Sequence, residues 1–496
     1  MNRKNLIVIS SDEMRGDVPG FMGNPDCKTP YLDKFAQRGV VFTKHFSVHG
    51  KCVPARIAMM TGRYPHTDGI RTVNETNLLK PGDPNLLETL KENGYETAYF
   101  GHNHVFENLY HGRNKKGEST PDYHSFTEGY FDHFVKKSRK ISNNLPKILK
   151  NDNAINMEVS EKTDLTGFSD NCRAEQAIHY IKNIRDKSRP FYMHLNFGAP
   201  HPSYSVEEPY FSMYSPEKIK PFTHKIPENA PMPILKMREI RSGKYATEED
   251  FLRIQCVYYG MVTKLDSLIG KVLEAIEEEG LFNNSIIMFW VDHGDFAGQY
   301  GLIEKWDTAM QDCILHVPQI IYAPELPCGK RIDSLTEHTD IAPTILEMLN
   351  IKIPPQWVIH GESLLPIIRG EKKKDAVFAD GGHEDDMIKR FNTQTTYQRK
   401  DGKIIPSTHG KHEVYAKFPE TMSRTKMVRT EKWKLVIRLR GGNELYDMEN
   451  DPDELHNLYN FSDPKLETVK SELMLKMIEW CLKTDTDRPF QEKVGA

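Results

Sequence analysis

The sequence predicts an α/β protein: a mainly parallel central sheet flanked by helices, with a smaller C-terminal α+β subdomain built on an antiparallel sheet. Two observations carry this. Short β-branched or aromatic runs alternate with helical patterns through most of the 496 residues, and helix followed by strand, repeated, gives parallel strands covered on both faces. After residue 375 the composition shifts, and "KMVRTEKWKLVIRL" with "ELYDMENDPDELHNL" reads as antiparallel strands. The expected division is therefore a catalytic domain over 1–375 and a subdomain over 376–496.

The elements follow in chain order. "NLIVIS" (5–10) is an apolar run of strand length, "TPYLDKFAQRG" is helical, and "VVFTKHFS", ending at Ser47, is the next strand. The helical "NLLETLKENG" leads into the strand "YETAYF" (95–100), and "AEQAIHYIKNIRD" into "FYMHLNF" (191–197). In "MVTKLDSLIGKVLEAIEEEG", Val262, Leu265, Ile269, Val272, Leu273 and Ile276 share one helical stripe ahead of the strand "SIIMFWV" (285–291). Two polar, loop-like stretches, 131–165 and 202–250, break the rhythm and have the length of substrate lids or surface loops.

Composition excludes several classes. A net charge of −4 with both signs interspersed leaves no electrostatic footprint for nucleic acid. The longest apolar runs fall far short of the ~20 residues of a membrane span. "MNRK" leads straight into "NLIVISSDE", which reads as a core strand and not a signal peptide. The expectation is thus a cytoplasmic protein if the sequence is complete, and a periplasmic or secreted one if a leader was trimmed. Seven cysteines in no close-spaced framework argue against a disulfide scaffold.

Ligands of a parallel sheet gather at the carboxyl ends of its strands. After 5–10 come Asp12, Glu13 and Arg15; after 95–100 come His102 and His104; after 191–197 comes His201; after 285–291 come Asp292 and His293, with Lys305 further along. Carboxylates and one imidazole suit a hard divalent cation. Lys305, Arg56 and the remaining histidines suit a tetrahedral oxyanion. In "HGKCVPARIAMMTGRYPHTDG", Pro54 fits the first turn of a helix, which places Cys52 at or beside a helix N-terminus, where unpaired N–H groups attract negative charge. That is a nucleophile at a positive helix end.

"CVPAR" followed by "TGR" resembles the signature of the type I, formylglycine-dependent sulfatases of the alkaline-phosphatase-like superfamily. The similarity continues through "NLIVISSDEMRGD", "GYETAYFGHNH", "GAPHP", "VDHGDFAGQYGLIEK", "TDIAPTILEML" and "GESLLP". It implies a sulfuric ester hydrolase with an alkaline-phosphatase-like fold, in which Cys52 is converted to formylglycine by a maturation enzyme. The resemblance further implies that Asp12, Asp292, His293 and the modified Cys52 hold a metal, usually calcium in sulfatases. Glu13 stands where many members have a second aspartate, either as a ligand or as a neighbour of the ligands. Arg56 would hold the formylglycine hydrate, His104 would hydrogen-bond it, His201 would contact sulfate and Lys305 would lie near the bridging oxygen. One hydroxyl of the hydrate would attack sulfur; loss of a proton from the other would then reclose the aldehyde and expel sulfate.

His102 departs from the lysine of many sulfatases, and this keeps open an alternative, hydrolysis of phosphonate monoesters or phosphate diesters on the same site with Mn²⁺ or Zn²⁺. The implied substrate is a small-molecule or oligosaccharide sulfate ester, with sulfated carbohydrate favoured by analogy; oligomeric state is open. Elsewhere, His194 reads as a satisfied core histidine, Arg15 as half of a structural ion pair, and Asp447 and Asp451 as turn-ordering residues. His45 and His49 carry no assigned role.

Overall fold

The computed structural model describes residues 3–72, 78–80, 82–101, 103–106, 170–239, 246–383, 414–415 and 417–485, and the backbone alone at 123–124, 160–161, 166–169, 396–398 and 404–406. Strand β1 (Asn5–Asp12) is buried along its whole length, as expected for the centre of a sheet covered on both faces. The strands after it are β2 (Val40–Phe46), β3 (Glu96–Gly101), β4 (Tyr123–His124), β5 (Ser160–Glu161), β6 (Phe191–Pro200), β7 (Ser205–Val206), β8 (Ser285–Val291), β9 (His316–Tyr322) and β10 (Lys330–Glu337). The main sheet has eight strands in the order β10-β2-β9-β8-β1-β6-β3-β4. All its pairings are parallel except those of β9, which runs against β8 and β2.

Helices cover both faces: α1 (Pro30–Arg38), α2 (Cys52–Thr61), α3 (Leu86–Glu92), α4 (Thr166–His179), α5 (Glu248–Glu278) and α6 (Ile341–Met348), while α7 (Pro464–Thr484) lies in the C-terminal region. Side chains alternate across a strand, so β1 feeds two cores. Ile7 and Ile9 pack with Ala177 of α4 and with Val257, Leu265 and Val272 of α5. Leu6 and Val8 pack with Val53 and Ile57 of α2, Leu90 of α3 and Ile345 of α6. Of the α5 stripe expected from periodicity, Val262, Leu265, Ile269, Val272 and Ile276 are buried and Leu273 is partly so. The start of α5 is fixed by a capping box: the Asp250 N–H donates to Thr247 Oγ1 at 3.2 Å, and the Thr247 N–H to Asp250 Oδ2 at 2.8 Å.

The C-terminal region supplies β11 (Val377–Gly381), β12 (Thr396–Gln398), β13 (Ile404–Pro406), β14 (Thr425–Arg429), β15 (Trp433–Arg438) and β16 (Glu444–Asp447). Four of them form the antiparallel sheet β11-β14-β15-β16, backed by Leu473, Met477 and Trp480 of α7. The long α7 was not anticipated from sequence. Phe46 and Leu335 of the main sheet share one core with Val377, Met427 and Val436, so the small sheet is packed directly onto the large one. Segment 131–165 falls almost wholly outside the described residues. Segment 202–250 holds, among its described residues, β7, a 3-10 turn (Pro216–Lys218), a short helix (Met232–Met237) and the first turn of α5. No helix among the described residues is long and apolar enough to cross a membrane.

Candidate active site

Register brings the expected residues together. Ser11 lies opposite Val291 on β8, and Asp12 opposite Pro200 on β6. Asp12, Asp292 and His201 therefore emerge side by side from the carboxyl ends of three adjacent parallel strands. Facing them, α2 begins at Cys52 after an extended Lys51 and is buried at all ten positions. It ends at Gly62, whose φ of 65° is the left-handed geometry a glycine supplies without strain.

Cys52 is 3% exposed. Its Sγ lies 3.2 Å from His293 Nε2 and 3.6 Å from Asp12 Oδ1. Burial, with the Asp12 and Asp292 carboxylates beside it, pushes the thiol far up, despite Lys305 and Arg56; at neutral pH it is a poor nucleophile. Arg56, one helical turn on, donates from Nε to Asp292 Oδ2 at 2.7 Å and from Nη2 to Asp12 Oδ2 at 2.9 Å. Burial alone would raise Asp12, but Arg56, followed by His201, Lys305 and His293, holds it well below the usual carboxylate range. Asp292 Oδ1 accepts the backbone N–H groups of Glu13 and His293 at 3.2 and 2.9 Å. His293 gives its Nδ1 proton to Gly294 O at 3.0 Å, which aims a bare Nε2 at Cys52. Burial lowers this imidazole to about 4, so it is neutral and able to ligate at pH 7.

A second group sits alongside. Lys305 Nζ donates to Glu13 Oε2 at 2.6 Å, and His201 Nε2 lies 3.3 Å from the same oxygen. His201 Nδ1 donates to Pro202 O at 2.6 Å. Burial pushes the Glu13 carboxyl up against the pull of Lys305, while Glu13, Cys52 and Asp12 keep Lys305 above its ordinary value despite burial. Glu13 has a φ of 71°, strained for a non-glycine residue, and its carbonyl accepts the Tyr258 hydroxyl at 2.5 Å. A cavity of about 200 Å³ opens onto this group, bordered by Asp12, His104, His201, Gly198, Arg173 and Met261.

Ligand atoms of Asp12, Cys52, Asp292 and His293 all lie within 4.8 Å of one another, as do those of Asp12, Glu13 and His201. The first set fits a divalent cation on charge as well as distance. Two buried carboxylates are matched by the single Arg56, and a cation would offset the remaining negative charge. Glu13 is turned to Lys305 and is absent from that four-residue set.

Cys52, Arg56, His104, His201, Lys305, Asp12, Glu13, Asp292 and His293 are thus gathered at one edge; His102 lies outside the described residues. His194 is satisfied by Ser10 Oγ and the Tyr192 hydroxyl, both at 3.0 Å. Arg15 pairs with Asp17 at 2.7 Å, and Asp447 and Asp451 accept backbone N–H groups of their own turn. Sequence reasoning missed Asp295, buried two residues beyond His293 and bonded to Tyr204 Oη at 2.8 Å and Glu304 N at 3.0 Å. The signal was available: a second carboxylate in "VDHGD". It also missed Asp170, whose oxygens accept Gly198 N and Ala199 N at 2.9 Å each; nothing in the sequence pattern marks that residue.

Carboxylates, imidazoles, a guanidinium and an ammonium at the carboxyl edge of a mainly parallel sheet suit an ester hydrolase, and the sequence matches set the chain in the alkaline-phosphatase-like superfamily. Within that class the chain belongs to the sulfatase family, whose sequence model, described as Sulfatase, matches residues 4–351, and it is a sulfuric ester hydrolase. It is 26% identical to an arylsulfatase of Clostridium perfringens (strain 13 / Type A), over 93% of this chain and 92% of that protein. It is 27% identical to an ulvan-active sulfatase of Formosa agariphila, over 96% of this chain and 80% of that protein. A phosphonate monoester hydrolase of Agrobacterium radiobacter shares the fold, with a TM-score of 0.75 and 21% identity, covering 97% of this chain and 96% of that one.

Proposed function

We propose that the chain hydrolyses a sulfate monoester through a formylglycine made from Cys52, with a sulfated carbohydrate as the substrate class. One observation carries this: Cys52, at the start of a fully buried helix, shares a 4.8 Å cluster with Asp12, Asp292 and His293. Those four residues would hold the divalent cation, which when bound supplies charge neutralisation and Lewis acidity. Calcium suits the two carboxylates and a formylglycine oxygen.

The chain's own groups divide the remaining work. Arg56 fixes both carboxylates, bonding Asp12 Oδ2 and Asp292 Oδ2, and leaves Asp12 Oδ1 facing Cys52 and His293, while Asp292 Oδ1 is held by the Glu13 and His293 backbone N–H groups. Lys305, held by Glu13, places an ammonium where charge develops on the leaving oxygen. His201 keeps its Nδ1 proton on Pro202 O, so its Nε2 carries a proton only as the cation, the form that can give one to the departing alcohol. An unmodified thiol lacks the second hydroxyl needed to release sulfate, so Cys52 as encoded is a precursor. The carbohydrate assignment is supported by the ulvan-active relative.

A second reading, phosphonate monoester or phosphodiester hydrolysis, is favoured by the placement of Glu13. With Glu13 spent on Lys305, the four-residue set has only two carboxylates beside an imidazole, a mixture that also suits Mn²⁺ or Zn²⁺.

Mass spectrometry of the peptide holding Cys52, followed by rates on nitrophenyl sulfate, a phenylphosphonate ester and a phosphodiester, separates the readings. The expected result is the formylglycine mass with the largest kcat/KM on sulfate. A larger value on phosphonate or diester transfers the assignment, and full activity with Cys52→Ala refutes the nucleophile.

A further inference from the structure

We infer that Arg173 anchors a second negative charge on the substrate, a carboxylate or further sulfate carried by the leaving alcohol. This rests on the sulfatase reading above and deepens it.

The guanidinium lies against Gly198, where a Cβ would sit 3.0 Å from Arg173 Nη1. The side-chain stem runs beside Gly101, a residue whose φ of 94° and close approach to the Asn196 carbonyl already call for glycine. Gly101 ends β3, just before the segment carrying His104, and Gly198 is near the end of β6, just before His201. The arginine is therefore fitted between the two chain segments that present the site's histidines.

Its one ion-pair partner among the described residues is Asp170, on the preceding turn of α4, at 2.7 Å from Nη1. Asp170 is 3% exposed and already accepts the Gly198 and Ala199 N–H groups, so three donors share its two oxygens. Arg173 has five N–H donors in a planar fork. The one hydrogen bond it makes among the described residues uses one of them, and the side chain stays 18% exposed where it borders the cavity.

The opposite wall is apolar, formed by Met261, Leu265 and Leu268 along one stripe of α5. Lys264 on that wall is engaged by Glu207. At about 200 Å³ the cavity is the size of one six-membered ring, with Asp12, His104 and His201 also on its border. A ring stacked on the α5 wall would carry its sulfate to those residues and a second anion to the guanidinium, whose fork matches a two-oxygen group.

The test uses two aryl sulfates of matched shape, 3-carboxyphenyl and 3-carbamoylphenyl sulfate, on matured protein, reading the ratio of their kcat/KM values. The wild type should favour the carboxylate. Arg173→Gln should lower the ratio about 10- to 100-fold, the span of a hydrogen bond to a charged group, mainly through KM, and Arg173→Lys should retain part of it. Gly198→Ala, which crowds Nη1, should move the ratio in the same direction and guards against a folding defect in the first variant.

A wild type without preference overturns the inference, and so does an Arg173→Gln enzyme that loses both substrates equally. The same pair made as phenylphosphonate esters keeps the two ideas apart. Turnover of phosphonates without sulfates sinks the sulfatase reading, while the carboxylate ratio still reports on Arg173.

Discussion

Arg56→Ala should register in stability as well as in catalysis. The guanidinium is 5% exposed and bridges Asp292 at 2.7 Å and Asp12 at 2.9 Å. Its removal leaves two buried carboxylates unpaired, and breaking a buried pair from one side costs about 3–5 kcal/mol. For 496 residues, at about 2.1 cal/mol/K of unfolding entropy per residue, the total is roughly 1 kcal/mol/K. The expected fall in Tm is therefore only about 3–5 °C. Differential scanning calorimetry in EDTA should show that fall, and excess calcium should recover part of it because a divalent cation counters the same charge. Turnover should drop by about 10²–10³, as for loss of one fixed donor to a developing anion. A variant with the wild-type Tm in EDTA would refute the pairing, and one with wild-type turnover would refute its part in the site.

Three further outcomes follow from the same geometry. Lys305→Ala should lose about 10²–10³ in turnover and destabilise by orphaning Glu13; adding Glu13→Gln should restore thermal stability without activity, and a double mutant that regains turnover would exclude Lys305 from the chemistry. Chelation of divalent ions should reduce both Tm and activity, with recovery on calcium or manganese; equal Tm with and without EDTA would argue against a metal at Asp12, Asp292 and His293. Burial raises Asp266, which caps α1 through Leu32 N and Tyr31 N, to about 7. The folded state then holds a proton that the unfolded chain releases near pH 4, so this group's contribution falls as pH rises from about 4 to 7. Asp266→Asn should gain on the wild type across that window in denaturant melts, and a pH-independent gap would count against the shift.

Much of the site was legible because the parallel sheet does the sorting. Asp12, His201 and Asp292–His293 each follow an apolar run, and parallel strands send all such residues to one edge. Cys52 and Arg56 were readable because a one-turn spacing on a buried helix fixes their relation. The direction of β9 was not: "HVPQIIY" has the same β-branched character whether it runs with or against β8, since periodicity records burial and not polarity. The pairing of Glu13 with Lys305 spans 292 positions and depends on a left-handed backbone at Glu13 that no local pattern signals. Arg173 looks like any helix-surface cation until Gly198 is seen to make room for its guanidinium.

The seal around Cys52 also says something about when, not only where, chemistry happens. With every neighbour along the first turns of α2 packed inside, no second protein could reach that sulfur in the finished fold. Any enzymatic conversion of the side chain must therefore win a race against collapse of the sheet. Molecules that fold first would stay unconverted until they unfold again, and purified protein could not be repaired by adding the missing catalyst to it.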